Sequence, residues 1–357
     1  MPTILSIFLG IILFSLLIFV HELGHFLAAK ASGVQVNEFA IFMGPAIFKK
    51  QVGETLYSIR TIPIGGYCAM EGEDEDTDNP RSFQKAKWWK RLIILISGAA
   101  MNFLIGILLF AIVMLPAKGI ITPQLNDVLE CCSFRGEQGL LPGDRILEMD
   151  GEKIYVYSDF NLMLNYNPGE VHDLVVLRDG EKVVLNDLVM ARHEHVNEDG
   201  SIESHMGISF SIIEPTFAEK MENACYLTVD NVRNVRISLV MLLTGRAGIQ
   251  DMMGPVALVG TMSEMASEAD NWVDGLLNIL YFGGFIAVNL GVMNLLPIPA
   301  LDGGRVVGLL LTTGIEKITK KKLDPKYEGY IHGTGMILLL LLMAIIIFKD
   351  VFMLFKG

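Results

Sequence analysis

A chain of 357 residues has room for two or three domains, and 52% hydrophobic residues with a mean hydropathy of +0.45 exclude a simple soluble protein, so the bilayer counts as a solvent. A formal net charge of -12 excludes nucleic acid as a natural partner. Cys131 and Cys132 are adjacent while Cys68 and Cys225 stand apart, which is no disulfide framework, and all four read as free thiols.

The first element, residues 1–30, holds an uncharged run from Thr3 to Val20 followed directly by HELGH at 21–25. Its n-region carries no positive charge and no small-residue cleavage site follows, which predicts a retained membrane helix rather than a signal peptide. In residues 31–91, partial alternation in ETLYSIRTIPIGGYCAM (54–70) around Gly65 and Gly66 predicts a membrane-associated β-hairpin, and the acidic stretch EGEDEDTD follows at 71–78. A second span occupies 92–116, where Leu92 to Leu115 is 24 uncharged residues, enough to cross roughly 30 Å of hydrocarbon.

Residues 117–213 carry short strand-like runs with turn signals at Pro142-Gly143, Asp150-Gly151 and Asp179-Gly180, the pattern of a small β-rich domain. From 214 to 274 the period changes: Phe217, Met221, Ala224, Thr228, Val232, Val235, Leu239 and Leu242 recur at steps of three and four. That stripe predicts an amphipathic helix, lying either at the membrane interface or against the β domain. A third membrane segment (275–314) is interrupted by Pro297, Pro299 and Asp302-Gly303-Gly304-Arg305, and a basic loop (315–332) precedes a fourth helix (333–357). Lys49, Lys50, Lys85, Lys87, Lys90 and Arg91 flank the first two spans, and Lys317, Lys320, Lys321, Lys322 and Lys326 lie between the last two. These loops are therefore expected in the cytoplasm and the β-rich domain outside. The fold class expected is a polytopic α-helical membrane protein with four spans and an inserted extracytoplasmic β-rich domain.

Ionisable groups beside an apolar span are costly and tend to be functional. His21 and His25 are four residues apart, on one helix face, and can share a divalent cation. Glu22, one step round the helix, can reach a water bound to it. A zinc ion with two histidines needs a third protein ligand and leaves one position for water. His172, His193, His195 and His205 belong to the β-rich region, His332 starts the last helix, and HEH at 193–195 reads as a solvated loop. Asp302 is the sole acidic residue between Asp274 and Glu316. Prolines and glycines around it imply irregular backbone, which membranes tolerate only where protein or a cavity encloses it. Asp302 serves either as the third ligand or as a partner of Arg305.

HELGH, GPAIFK (44–49), RSFQKAKWWKRLIILISGAAMNF (81–103) and NLLPIPALDGGR (294–305) closely resemble the site-2 protease family of intramembrane metalloproteases. GLLPGDRILEMDGEKI (139–154) looks like a bacterial PDZ domain and points to the regulator-of-sigma-E protease branch. The resemblance implies Zn2+ held by His21, His25 and Asp302, Glu22 as catalytic base, and substrate contacts at Asn294, Pro297, Pro299, Asn102 and the hairpin with Gly65 and Gly66. It also implies a peptide groove at Gly207 and Ile208 in HMGISF (205–210). Single-span membrane proteins, anti-sigma factors or signal-peptide remnants, are the implied substrates, cut in a bacterial cytoplasmic membrane after an upstream site-1-type protease has trimmed them. The sequence departs from the family in having room for one PDZ-like domain and in SFRGEQGL before the domain's Gly-Leu. Two other readings stay open: a membrane zincin acting on soluble or unfolded chains, and a noncatalytic PDZ scaffold with a structural metal.

Overall fold

The computed structural model describes residues 3–73, 77–130, 132–167, 169–191, 193–196, 202–248, 252, 254–320 and 325–356. The chain divides into two compact units, Met1–Val113 with Ser238–Gly357, and Met114–Ile237. Four helices in the described residues are long and apolar enough to cross a membrane: Ile4–Ser32, Trp88–Met114, Trp272–Leu295 and Gly329–Met353.

The first unit begins with α1 (Thr3–Ser32), which carries HELGH inside the helix rather than at its end. Two long strands follow, β1 (Val36–Val52) and β2 (Thr55–Met70), joined by a turn at Gly53 and Glu54. Glu38, Phe39, Ala40 and Ile41 each pair twice, once with 56–59 and once with 66–69. The two strands therefore fold into a compact sheet. Gly65, with φ 85°, supplies the bend that sends 66–70 back along 36–41, a conformation that a side chain would disfavour. The sequence reading did not mark β1, whose apolar residues lack strict alternation. Arg60 ties the layers, donating to Gly44 O at 2.6 Å and to Glu38 at 2.7 Å.

α2 (Trp88–Met114) returns through the apolar layer. After the second unit the chain re-enters with α5 (Pro255–Ser267), α6 (Trp272–Leu295), α7 (Asp302–Thr319) and α8 (Pro325–Lys356). The sequence reading had no separate α5, which at 13 residues is too short to stand out as a span. It packs on α1, where Ser6 and Ser263 share a hydrogen bond at 2.8 Å, and its start is met by Asp350 of α8, which accepts from Ala257 N at 3.1 Å. Asn271 caps α6 through Val273 N and Asp274 N. Pro297 then forbids continuation, so the third apolar segment is two helices rather than one kinked span. Gly283, Gly284 and Gly291 form the contact face of α6, where an added Cβ would lie 2.4 Å from Leu13, 2.9 Å from Phe110 and 3.2 Å from Phe103. Small residues let apolar helices approach closely, since lipid offers them no hydrophobic reason to associate.

In the second unit β3 (Ile120–Val128), β4 (Arg145–Met149), β6 (Val171–Arg178), β7 (Glu181–Val189) and β10 (Ile208–Ile213) form a sheet in the order β10-β3-β4-β6-β7, with β5 (Glu152–Lys153) beside β4. Asp150-Gly151 and Asp179-Gly180 have φ of 50° and 80°, and 50° and 85°. Those positive angles suit two-residue hairpin turns between right-twisted strands. Helix α3 (Tyr157–Tyr166) buries Phe160 and Met163, Phe160 against Phe210 of β10, and the sheet buries Leu125, Ile146, Met149, Leu174 and Val176. The HEH stretch, expected as a loop, is instead β8 (His193–Val196), paired with β9 (Ile202–His205). A two-stranded ribbon needs no apolar alternation, so composition did not reveal it. α4 (Phe217–Leu243) closes the unit with its residues up to Ile237, and Ala224, Leu227, Thr228, Asn231 and Val235 are on its buried side. Cys68 and Cys225 are free thiols, and Cys132 is buried; Cys131, residues 74–76 of the acidic stretch, and Lys321 and Lys322 lie outside the described residues.

Candidate metal centre

The helical repeat of α1 puts His21 and His25 one turn apart on the side that faces α2. Two glycines make the approach possible. A Cβ on Gly24 would sit 2.4 Å from Ser97 O, and one on Gly98 would sit 2.3 Å from His25 Nε2 and 2.8 Å from His21 Nε2. Both imidazoles are buried.

The ring orientations are fixed from behind. His25 Nδ1 donates to Ile94 O at 2.8 Å, which leaves the Nε2 lone pair forward. His21 Nδ1 faces the amide groups of Asn102 at 3.2 Å and Asn294 at 3.5 Å. Asn102 Oδ1 is buried without another partner. Turning that oxygen toward His21 satisfies it, puts the proton on Nδ1 and leaves Nε2 as a ligand. Asp302, the first residue of α7, completes the cluster: its Oδ2 lies 3.1 Å from His21 Nε2 and 3.2 Å from His25 Nε2, and the two nitrogens are 3.1 Å apart. Arg305 does not pair with Asp302; it binds Glu73.

The three atoms suit a zinc ion. Ligands about 2.0–2.2 Å from a tetrahedral zinc lie about 3.3–3.6 Å from one another, close to the triangle observed. Asp302 Oδ2 has no hydrogen-bond donor of proper geometry, as expected of an oxygen placed for a cation. Among the described residues this is the one cluster of three such groups. It opens on a cavity of about 270 Å³ lined by Ile18, Glu22, Leu290, Asn294, Ala300 and Leu301 together with His21, Asp302 and Asn102.

Glu22 thus shares the cavity with His21 and Asp302. Gly66 of β2 passes close by, an added Cβ standing 3.6 Å from Glu22 Cγ and 2.9 Å from Ala40 O. Gly65 lies beside Met43. Pro297 and Pro299 do not line the cavity; Pro299 packs against Gly335 of α8. Gly207 and Ile208 belong to the second unit, where Gly207 has φ 69° and its carbonyl accepts from Leu129 N at 2.8 Å. The sequence reading missed Ile94, whose part is played by a backbone carbonyl that leaves no mark in residue identity. It also gave no role to Gly24, although small residues inside an apolar run signal close helix contact.

Buried histidines, a carboxylate and a second acid around one cavity among apolar helices define a zinc peptidase of the integral membrane class. A profile of peptidase family M50 matches residues 9–342, and the chain belongs to that family of site-2 protease type zinc metalloendopeptidases. It is 35% identical over 347 residues to a Clostridium acetobutylicum protein provisionally named a zinc metalloprotease, covering 97% of each chain. It is 28% identical to the zinc metalloprotease RasP of Oceanobacillus iheyensis, over 97% of this chain and 98% of that one. The regulator of sigma-W protease RasP of Bacillus subtilis is 26% identical, with 97% and 98% covered.

Proposed function

We propose that this enzyme is an intramembrane endopeptidase in which His21, His25 and Asp302 hold the zinc and Glu22 moves the proton. What carries the reading is the shared cavity: Glu22, His21 and Asp302 line one space of about 270 Å³ walled by α1, α6 and the corner before α7, with His25 Nε2 3.1 Å from His21 Nε2 behind them. Zinc supplies there a Lewis acid that lowers the pKa of a water to about 7. Glu22 accepts a proton as the nucleophile forms and passes it to the leaving amine. Asn102 keeps His21 in its ligating tautomer, and Asn294, which lines the cavity, places its amide where it can meet a substrate backbone. A helical substrate must unwind before its peptide bond is accessible, and the β1–β2 sheet passing Glu22 offers strand edges to hold the opened segment.

The substrates proposed are single-span membrane proteins, anti-sigma factors or signal-peptide remnants, already trimmed by another protease; the name of the Bacillus subtilis relative supports a regulatory substrate. The basic loops favour a cytoplasmic-side active site in a bacterial cytoplasmic membrane, with the second unit outside as a PDZ-like domain and Gly207 and Ile208 as its peptide groove. Its role as a size filter is separable from peptide binding: if removing residues 120–212 still leaves untrimmed substrates uncut, the filter idea fails.

The test of the catalytic reading is cleavage of a tagged single-span peptide by purified protein in detergent, with bound zinc assayed alongside. Glu22→Gln is expected to keep zinc and lose cleavage by at least about 100-fold. Equal cleavage by both proteins would take the proton-transfer role away from Glu22, and intact zinc in Asp302→Ala would favour a zincin with a different third ligand.

A further inference from the structure

Asp302 is the least anchored of the three ligands. The histidines sit inside α1, whereas Asp302 is the first residue of α7, follows the non-helical stretch 296–301, and has an N-cap, Leu301, without a side-chain cap bond. Ala300 holds φ 79°, unfavourable for a residue with a Cβ. Tertiary contacts must keep this corner in place.

Arg305 lies three residues after Asp302, one helical turn along the same side of α7. Its guanidinium Nη1 bonds Glu73 Oε1, and the two side chains are 29% and 17% exposed, so water screens the pair less than it would at an open surface. Glu73 lies just past the end of β2. Its surroundings are tied to the body that carries the histidines: Glu71 N donates to Gln35 O at 2.9 Å, in the link between α1 and β1, and Phe83 N donates to Glu71 O at 2.7 Å.

We propose that the Glu73–Arg305 ion pair is a positioning clamp for the third zinc ligand. It fastens the first turn of α7 to the α1–β2 body and so holds Asp302 Oδ2 against the two histidine nitrogens. Glu73 and Arg305 are positioning residues that act through Asp302. The proposal rests on the assignment of His21, His25 and Asp302 as zinc ligands.

The experiment measures zinc release to a colorimetric chelator from the full-length, zinc-loaded protein in detergent, on material that elutes as folded protein. Glu73→Gln and Arg305→Gln are each expected to release zinc roughly 10–100-fold faster than wild type, the usual effect of losing an outer support of a metal ligand. The double variant is expected to release zinc more slowly than the product of the two single effects would give, because the two side chains share one bond. Single variants that release zinc at the wild-type rate overturn the clamp, and so does a double variant whose effect is the product of the two single effects. Where a glutamine variant yields too little folded protein, Glu73→Asp carries the test: its shorter carboxylate is expected to speed release about tenfold, and wild-type release overturns the proposal. Asp302→Ala run alongside separates the two ideas. If it retains zinc, the ligand assignment fails; if it alone loses zinc, only the clamp fails.

Discussion

Gly98 has no functional group, yet the metal centre depends on it. It lets α2 pass beneath both imidazoles, where a methyl group would stand 2.3 Å from His25 Nε2. Gly98→Ala is therefore expected to displace the histidine and lower zinc affinity by roughly 10–100-fold, read as zinc per folded chain after competition with a chelator. Unchanged zinc affinity would show that the helices simply move apart. Asn102 acts on the same histidine from the other side, and it is fully buried. Asn102→Ala removes the group that sets the His21 tautomer, with an expected tenfold or greater loss of zinc affinity, about the lower end for a supporting hydrogen bond. Asn102→Asp, which keeps the acceptor oxygen, is expected to retain more zinc than Asn102→Ala; the reverse order would contradict the orientation assigned to the amide.

Among the elements, the junction of α3 and α4 carries the clearest dependence on pH. Asp230 of α4 accepts from Ser158 Oγ at 2.8 Å, and Asp159 of α3 is buried with Arg233 Nη1 3.1 Å away, while Arg233 Nε lies 3.7 Å from Glu152. Burial, and then the Asp159 carboxyl beside it, push the Asp230 carboxyl from 3.8 up to about 7. Between those values the folded unit holds a proton that the unfolded chain has released, so this group's contribution to stability is present in acid and lost as pH rises toward 7. Hydrogen exchange of α3 and α4 in the full chain, corrected for intrinsic rates, is expected to show more protection at pH 5 than at pH 8. Asp230→Asn is expected to flatten that difference, and an unchanged difference would assign it to another group. The corner between α6 and α7 shows the opposite kind of control: Pro297 and Pro299 end one helix so that Asp302 can open the next.

On the scale of the whole molecule, the metal centre is contained in one unit. His21, Glu22, His25, Asn102, Asn294 and Asp302 all fall within Met1–Val113 and Ser238–Gly357, while Met114–Ile237 contributes none of them. Replacing residues 117–213 by a short flexible linker is expected to leave one zinc per chain, as measured by elemental analysis. Loss of zinc from a protein that still elutes as folded would mean that the second unit supports the site. Any change in which substrates are cut then belongs to that unit alone.

Much of this organisation is legible in the sequence because it follows from local rules. Runs of apolar residues long enough for a bilayer can be counted, Asp150-Gly151 and Asp179-Gly180 mark turns because few residues accept positive φ, and HELGH puts two histidines on one face by the helical repeat alone. The lone Asp302 within an uncharged stretch was conspicuous for the same reason. Other features needed distant segments to meet. Sequence could not decide whether Asp302 faced the histidines or Arg305, since both arrangements satisfy the charge. The fold decides it: Arg305 goes to Glu73, far away in the chain, and Asp302 closes the triangle. The brace from Ile94 O is a backbone group that any residue would supply, and the short α5 is held by contacts with α1 and α8 that lie far off in the chain. The sequence by itself determined which groups could do the chemistry and that a membrane surrounds them. The tertiary structure decided which of them meet, because that choice depends on helix approach and on backbone groups whose positions no local pattern encodes.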